Sequence, residues 1–139
     1  MVKTNLMKVI LIDPGLKNTK GHNYATDLKI AEFFKRNKFD VEILCLKTID
    51  KETESKFLKN KIKINKVFDI STYSSFPYQN EETFIESVRV SVNNLNSYHK
   101  NNLNSGIAIW PPCNFPIQIF TNLFTQIAKY QFIFLEPTF

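Results

Sequence analysis

Lys8-Val9-Ile10-Leu11-Ile12-Asp13-Pro14-Gly15 is the stretch whose reading decides the fold. Its apolar residues are continuous rather than alternating. A strand with water on one face alternates, whereas a strand covered on both faces does not, so the run predicts a buried strand of a parallel sheet. Asp13-Pro14-Gly15 ends it, and Gly15-Leu16-Lys17-Asn18-Thr19-Lys20-Gly21 continues as a loop. From His22 to Lys38 the pattern changes to a helical period. Tyr24, Leu28, Ala31 and Phe34 form its apolar face, with Asp27, Lys29, Glu32, Lys35 and Arg36 expected on the opposite one.

The alternation continues down the chain. Val41 to Leu46 reads as the second strand, and the polar stretch Thr48 to Asn60 as a weak helix or a long loop. Lys66 to Ile70 is the expected third strand, followed by a turn-rich loop over residues 71–80. Glu81-Glu82 places negative charge in the first turn of a long helix, where the helix dipole favours it. Phe84, Val88, Val92 and Leu95 mark its buried stripe, which fades by Tyr98. After a loop over residues 101–105, Gly106 to Trp110 forms a fourth strand stopped by Pro111-Pro112. Phe115-Pro116 opens a further helix, and Gln131 to Leu135 is the last expected strand. Strands alternating with helices predict an α/β fold: a Rossmann-like three-layer sandwich with a mainly parallel sheet of about five strands. The length of 139 residues fits one domain spanning 1–139.

Composition narrows the partners. The net charge of +5 is carried by Lys, with Arg36 and Arg89 as the only arginines. Base and phosphate readers favour Arg for its bidentate fork, so nucleic acid is not an expected partner. The Lys-rich stretch from Lys47 to Lys66 suits a solvated face, or weak peripheral contact with an anionic membrane surface. Cys45 and Cys113 are too few for a disulfide framework and lack metal-knuckle spacing; Cys45, inside an apolar run, reads as a buried thiol. No leader pattern is visible, and no apolar run approaches the roughly 20 residues needed to span a bilayer, so a cytoplasmic location is expected.

In a sheet of this kind ligands bind at the carboxyl ends of the strands. The first such loop is the most informative. Gly15 and Gly21 permit close ligand approach, and Gly21-His22-Asn23 opens a helix whose free N–H groups attract phosphate. The loop is neither a P-loop nor a dinucleotide G-x-G-x-x-G. His22 reads as a base, a hydroxyl partner, a phosphate contact or a solvent-facing cap; Asp13 as a hydroxyl-positioning group or a cap of its own loop. Trp110, at the end of the fourth strand, either stacks on a sugar ring or packs on a helix. Asn114 has the place of a helix N-cap. No triad order, paired-carboxylate signature, metal cluster or cofactor motif is seen.

Ile10-Leu11-Ile12-Asp13-Pro14-Gly15, Gly21-His22-Asn23-Tyr24, Leu28 to Phe34 and Asp40-Val41-Glu42-Ile43-Leu44 resemble the start of GT-B glycosyltransferases of the glycosyltransferase 4 type. That family opens with a strand, a Gly-rich turn, a G-H-x-x-Y helix start and a G-H-x-V-x-V-L second strand. Lys38-Phe39-Asp40 replaces the glycine of the last turn. The resemblance implies half of a GT-B fold: an N-terminal, acceptor-side domain facing a donor domain across a transfer cleft. It implies a nucleotide-sugar and an acceptor as substrates, with Asp13 and His22 catalytic and Gly15, Gly21, Asn23, Trp110 and Asn114 binding. The donor domain does not follow within residues 1–139, so the domain is expected to be inactive alone and to need a second domain or subunit. The alternatives are a non-catalytic α/β binding or assembly domain and a receiver or flavodoxin-like signalling module.

Overall fold

The computed structural model describes residues 7–71, 81–101, 106–111 and 130–134, the last of these in backbone only. Strands and helices alternate: β1 (Lys8–Ile12), α1 (His22–Arg36), β2 (Asp40–Leu46), α2 (Lys51–Lys59), β3 (Lys63–Phe68), α3 (Glu81–Asn101), β4 (Gly106–Trp110) and β5 (Tyr130–Phe134). All pairings are parallel, and the sheet order is β3-β2-β1-β4-β5. The fold is α/β and Rossmann-like. Side chains are described for β1 to β4, and β5 extends the sheet beyond β4.

The apolar runs explain the layers. Val9, Ile10, Leu11 and Ile12 are all fully buried, as a central strand covered on both faces requires. Val9 and Leu11 join Val41, Ile43 and Cys45 of β2 under Ala31 of α1 and Phe57 of α2. Ile10 and Ile12 join Leu44, Leu46 and Trp110 under Leu95 and Tyr98 of α3. So α1 and α2 cover one face and α3 the other. That division is what right-handed crossovers give when the chain first winds outward to β3 and then returns past β1 to β4. Tyr24 and Phe57 lock α1 against α2 edge to face, with ring centres 5.4 Å apart.

Two boundaries differ from expectation. Thr48 to Asn60 resolves into the helix α2, because Asp50 caps it: its Oδ1 accepts the Thr53 N–H at 2.8 Å. Glu52 and Glu54 sit in the first turn and Lys56 and Lys59 in the last, so the charges match the helix dipole. β3 begins at Lys63, three residues earlier than expected, and ends at Phe68. Only Val67 and Phe68 are buried in it, since it lies at the sheet edge, where lysines discourage pairing with another chain. β4 lies tightly against β1. A Cβ at Gly106 would collide with the Lys8 carbonyl oxygen, so glycine is required for that approach. The loops expected over 72–80 and 102–105, the helix expected from Phe115, and Cys113 lie outside the described residues.

The order β3-β2-β1-β4-β5 also separates the alternatives. It is the order of the dinucleotide-binding sheets, with reversal between β1 and β4. Flavodoxin-like sheets place β3 beside β1, which this chain does not do. The receiver or flavodoxin-like reading is thereby set aside.

Candidate functional site

Strand order reverses between β1 and β4, and sheets of this kind bind ligands beyond the carboxyl ends of the strands at that point. The loop from Asp13 to Gly21 follows β1 at that end of the sheet. The loop is firmly built. Gly15 N–H donates to Asp13 Oδ1 at 2.8 Å, and Leu16 N–H to the Asp13 carbonyl at 3.3 Å, closing a turn at the strand end. Leu16 is fully buried beneath α1. Asn18 Oδ1 accepts the Lys20 N–H at 2.9 Å. The Lys17 carbonyl accepts the Asp50 N–H at 2.9 Å, which ties the loop to the start of α2.

Gly21 then takes φ 83° and ψ −177°, a region open essentially to glycine alone. It is exposed, supplies no capping side chain, and is followed by a first turn without acids. His22 opens α1 and is exposed. Gly21 and His22 thus lie at the loop surface, at the end of α1 where peptide N–H groups attract anions.

Asp13 and Asn23 turn inward. Asp13 is fully buried, and Asn23 Nδ2 donates to its Oδ1 and Oδ2 at 3.2 and 3.1 Å. Asp13, Gly15 and Asn23 therefore form one hydrogen-bonded group that shapes the loop. Trp110 is fully buried on the α3 face of the sheet, among Ile10, Ile12 and Tyr98, and offers no ring face for stacking. Asn114 lies outside the described residues.

One participant was not legible as such. Asp27, expected on the outer face of α1, is fully buried. It sits one helical turn after Asn23, on the same side of α1, and faces the Asp13 carboxyl. Asp13 and Asp27, fourteen positions apart, are brought together through the β1–α1 turn, a pairing that no spacing in the sequence announces. Burial, and then the neighbouring Asp13, push the Asp27 carboxyl well above its ordinary range. The only sequence signal was an acid four residues after Asn23. Cys45 of β2 completes the surroundings. Burial first, then Asp13, Glu54 and Asp27, push its thiol up to about 12, which leaves it protonated and inert.

A second buried ionic group lies on the other face of the sheet. Glu42 is 1% exposed and is held by Lys8 Nζ at 2.7 Å, Tyr98 Oη at 2.8 Å and Asn65 Nδ2 at 2.9 Å. It braces β1, β2, β3 and α3 together. Four of the lysines between 47 and 66 are paired with acids: Lys47 with Asp69, Lys56 with Glu52, Lys63 with Glu42 and Lys66 with Glu54. Among the described residues no group of three His, Cys, Asp or Glu could hold a metal ion, and no helix is long and apolar enough to cross a membrane. No family model, curated protein or solved structure matches the chain.

Proposed function

We propose that the chain is the acceptor-side domain of a GT-B sugar-transfer enzyme, and that its β1–α1 loop receives the diphosphate of a nucleotide-sugar. One observation carries this reading: Gly21 holds a glycine-only conformation at the exposed start of α1, beside the reversal between β1 and β4. A conformation of that kind costs stability and is retained where close backbone approach is useful. When a glycosyl bond to diphosphate breaks, negative charge grows on the departing oxygen. Peptide N–H groups fixed at a helix start stabilise that charge without reorganising.

His22, the first residue of α1, is the side chain best placed to meet an acceptor hydroxyl or a donor phosphate. Asp13 and Asn23 shape the loop from beneath. Asn114 is a further binding residue in this reading, and the donor-binding residues come from a second domain or subunit. The experiment is sugar-nucleotide-dependent transfer by the chain together with such a second domain. Transfer is expected, as is its loss in Gly21→Val. Amide resonances of residues 20–23 are expected to shift with nucleoside diphosphate. No transfer, combined with unmoved amides, would sink the proposal.

The inward turn of Asp13 and Asn23 favours one other reading, a non-catalytic α/β binding domain. That domain would shift the same amides on nucleotide addition and would support no transfer with any second domain.

A further inference from the structure

We infer that Asp27 is a positioning residue kept as a neutral carboxylic acid, whose O–H donates to the Asp13 carboxylate and thereby holds the β1–α1 loop in place. The geometry assigns the proton. Both carboxyls are fully buried and face each other, and two like charges there would repel with no water to screen them. One of the two must carry a proton. Asp13 already accepts from the Gly15 N–H and the Asn23 amide. Neither Asp27 oxygen meets any donor among the described residues. The donor-poor member of the pair is the one that holds the proton, and the acceptor facing it is Asp13.

The other groups around the pair reinforce this. Cys45 from β2 is a neutral thiol, and Glu54 from α2 adds negative charge near it; Lys66 of β3 is the sole cation acting on that thiol. Lys66 is engaged by Glu54 at 3.0 Å.

The consequence concerns the loop. Asp13 shapes the turn through Gly15, and the Asp27 proton adds a second tie from the strand end to α1 beside the Asn23 amide. Loss of that proton puts a second charge beneath the start of α1. On the reading that this helix start binds a diphosphate, affinity then falls as pH rises through the Asp27 titration.

The test does not need a ligand. In the full chain with carbon-labelled aspartate, the Asp27 carboxyl resonance is expected to stay at the neutral-acid position well above the pH at which an ordinary aspartate ionises. An infrared band of a protonated carboxyl should accompany it and vanish in Asp27→Asn. That variant keeps a donor toward Asp13, so its melting temperature should match or exceed the wild type at neutral pH and lose the decline with rising pH. An Asp27 resonance titrating in the ordinary acid range overturns the inference, as does a wild-type infrared spectrum without that band. The resonance is read on the unaltered chain, so failure of the variant to fold leaves the measurement decisive. A neutral Asp27 without nucleoside diphosphate binding would retain the proton lock and remove the diphosphate reading; binding with an ionised Asp27 would do the reverse.

Discussion

Gly21 shows how much one residue can decide. Its φ of 83° with ψ of −177° is accessible to glycine and strained for every residue with a Cβ, yet a Cβ built there meets nothing within 4 Å. Strain and crowding are therefore separable at this position. Gly21→Ala is expected to lower stability by about 1–3 kcal/mol through backbone conformation alone. A urea titration checks this: the midpoint should fall with an unchanged slope, and an unshifted midpoint would mean that the loop relaxes freely. Gly106 is the converse case, a glycine required because the Lys8 carbonyl fills the place of a side chain.

Both helix ends on the α1–α2 face carry a residue in an unusual backbone conformation. Lys38 and Lys61 both take a left-handed φ, 63° and 59°, one just after α1 and the other just after α2. Glycine is the usual residue there, yet the ends expected at Lys38 and Asn60 fall within two residues of the observed ones. Lys38→Gly should relieve about 1–2 kcal/mol of strain against an entropic cost of about 0.5–1 kcal/mol. A small rise in melting temperature is expected; a fall would show that the Lys38 side chain contributes more than its backbone costs. The strands were easier. β1, β2 and β4 were legible because continuous apolar runs survive any choice of neighbour, and α1 because Tyr24, Leu28, Ala31 and Phe34 keep the helical period. β3 was misplaced because an edge strand buries only part of itself and its lysines mask the pattern. In the candidate site, Gly21 and His22 were legible from chain order alone. Asp27 was not, because an acid on a helix reads as solvent-facing until the partner that keeps it neutral is in view. Trp110 was read two ways, and burial on the α3 face selects packing.

Two of the three buried carboxyl groups among the described residues, Glu42 and Asp27, act on stability in opposite directions. Burial works against charge on Glu42, but hydrogen bonds from Lys8, Asn65 and Tyr98 outweigh it and lower its pKa from 4.5. A depressed acid stabilises the fold above its unfolded pKa, and that stability is lost as pH falls through the folded value. Asp27 is raised, so its stabilising contribution is complete below its unfolded pKa, near 3.8, and is lost as pH rises toward its folded value. Thermal melts across pH should show Glu42→Gln flattening the acid limb and lowering stability at neutral pH, without altering the limb assigned to Asp27. An acid limb unchanged in Glu42→Gln would remove Glu42 from this account.

The strand order has a further consequence, for the time course of folding. β1, β2 and β3 are joined through short crossovers, whereas Lys8 opposite Gly106 closes a loop containing most of the chain. Distant pairings bear the entropy of loop closure before any contact repays it. The half ending at β3 is thus expected to acquire amide protection first and β4 last, an order that pulse-labelled hydrogen exchange would reveal or refute. The switch in strand order beside β1 would then exist only once the slowest seam of the sheet has closed, so nascent or partly folded chains would lack the proposed ligand site.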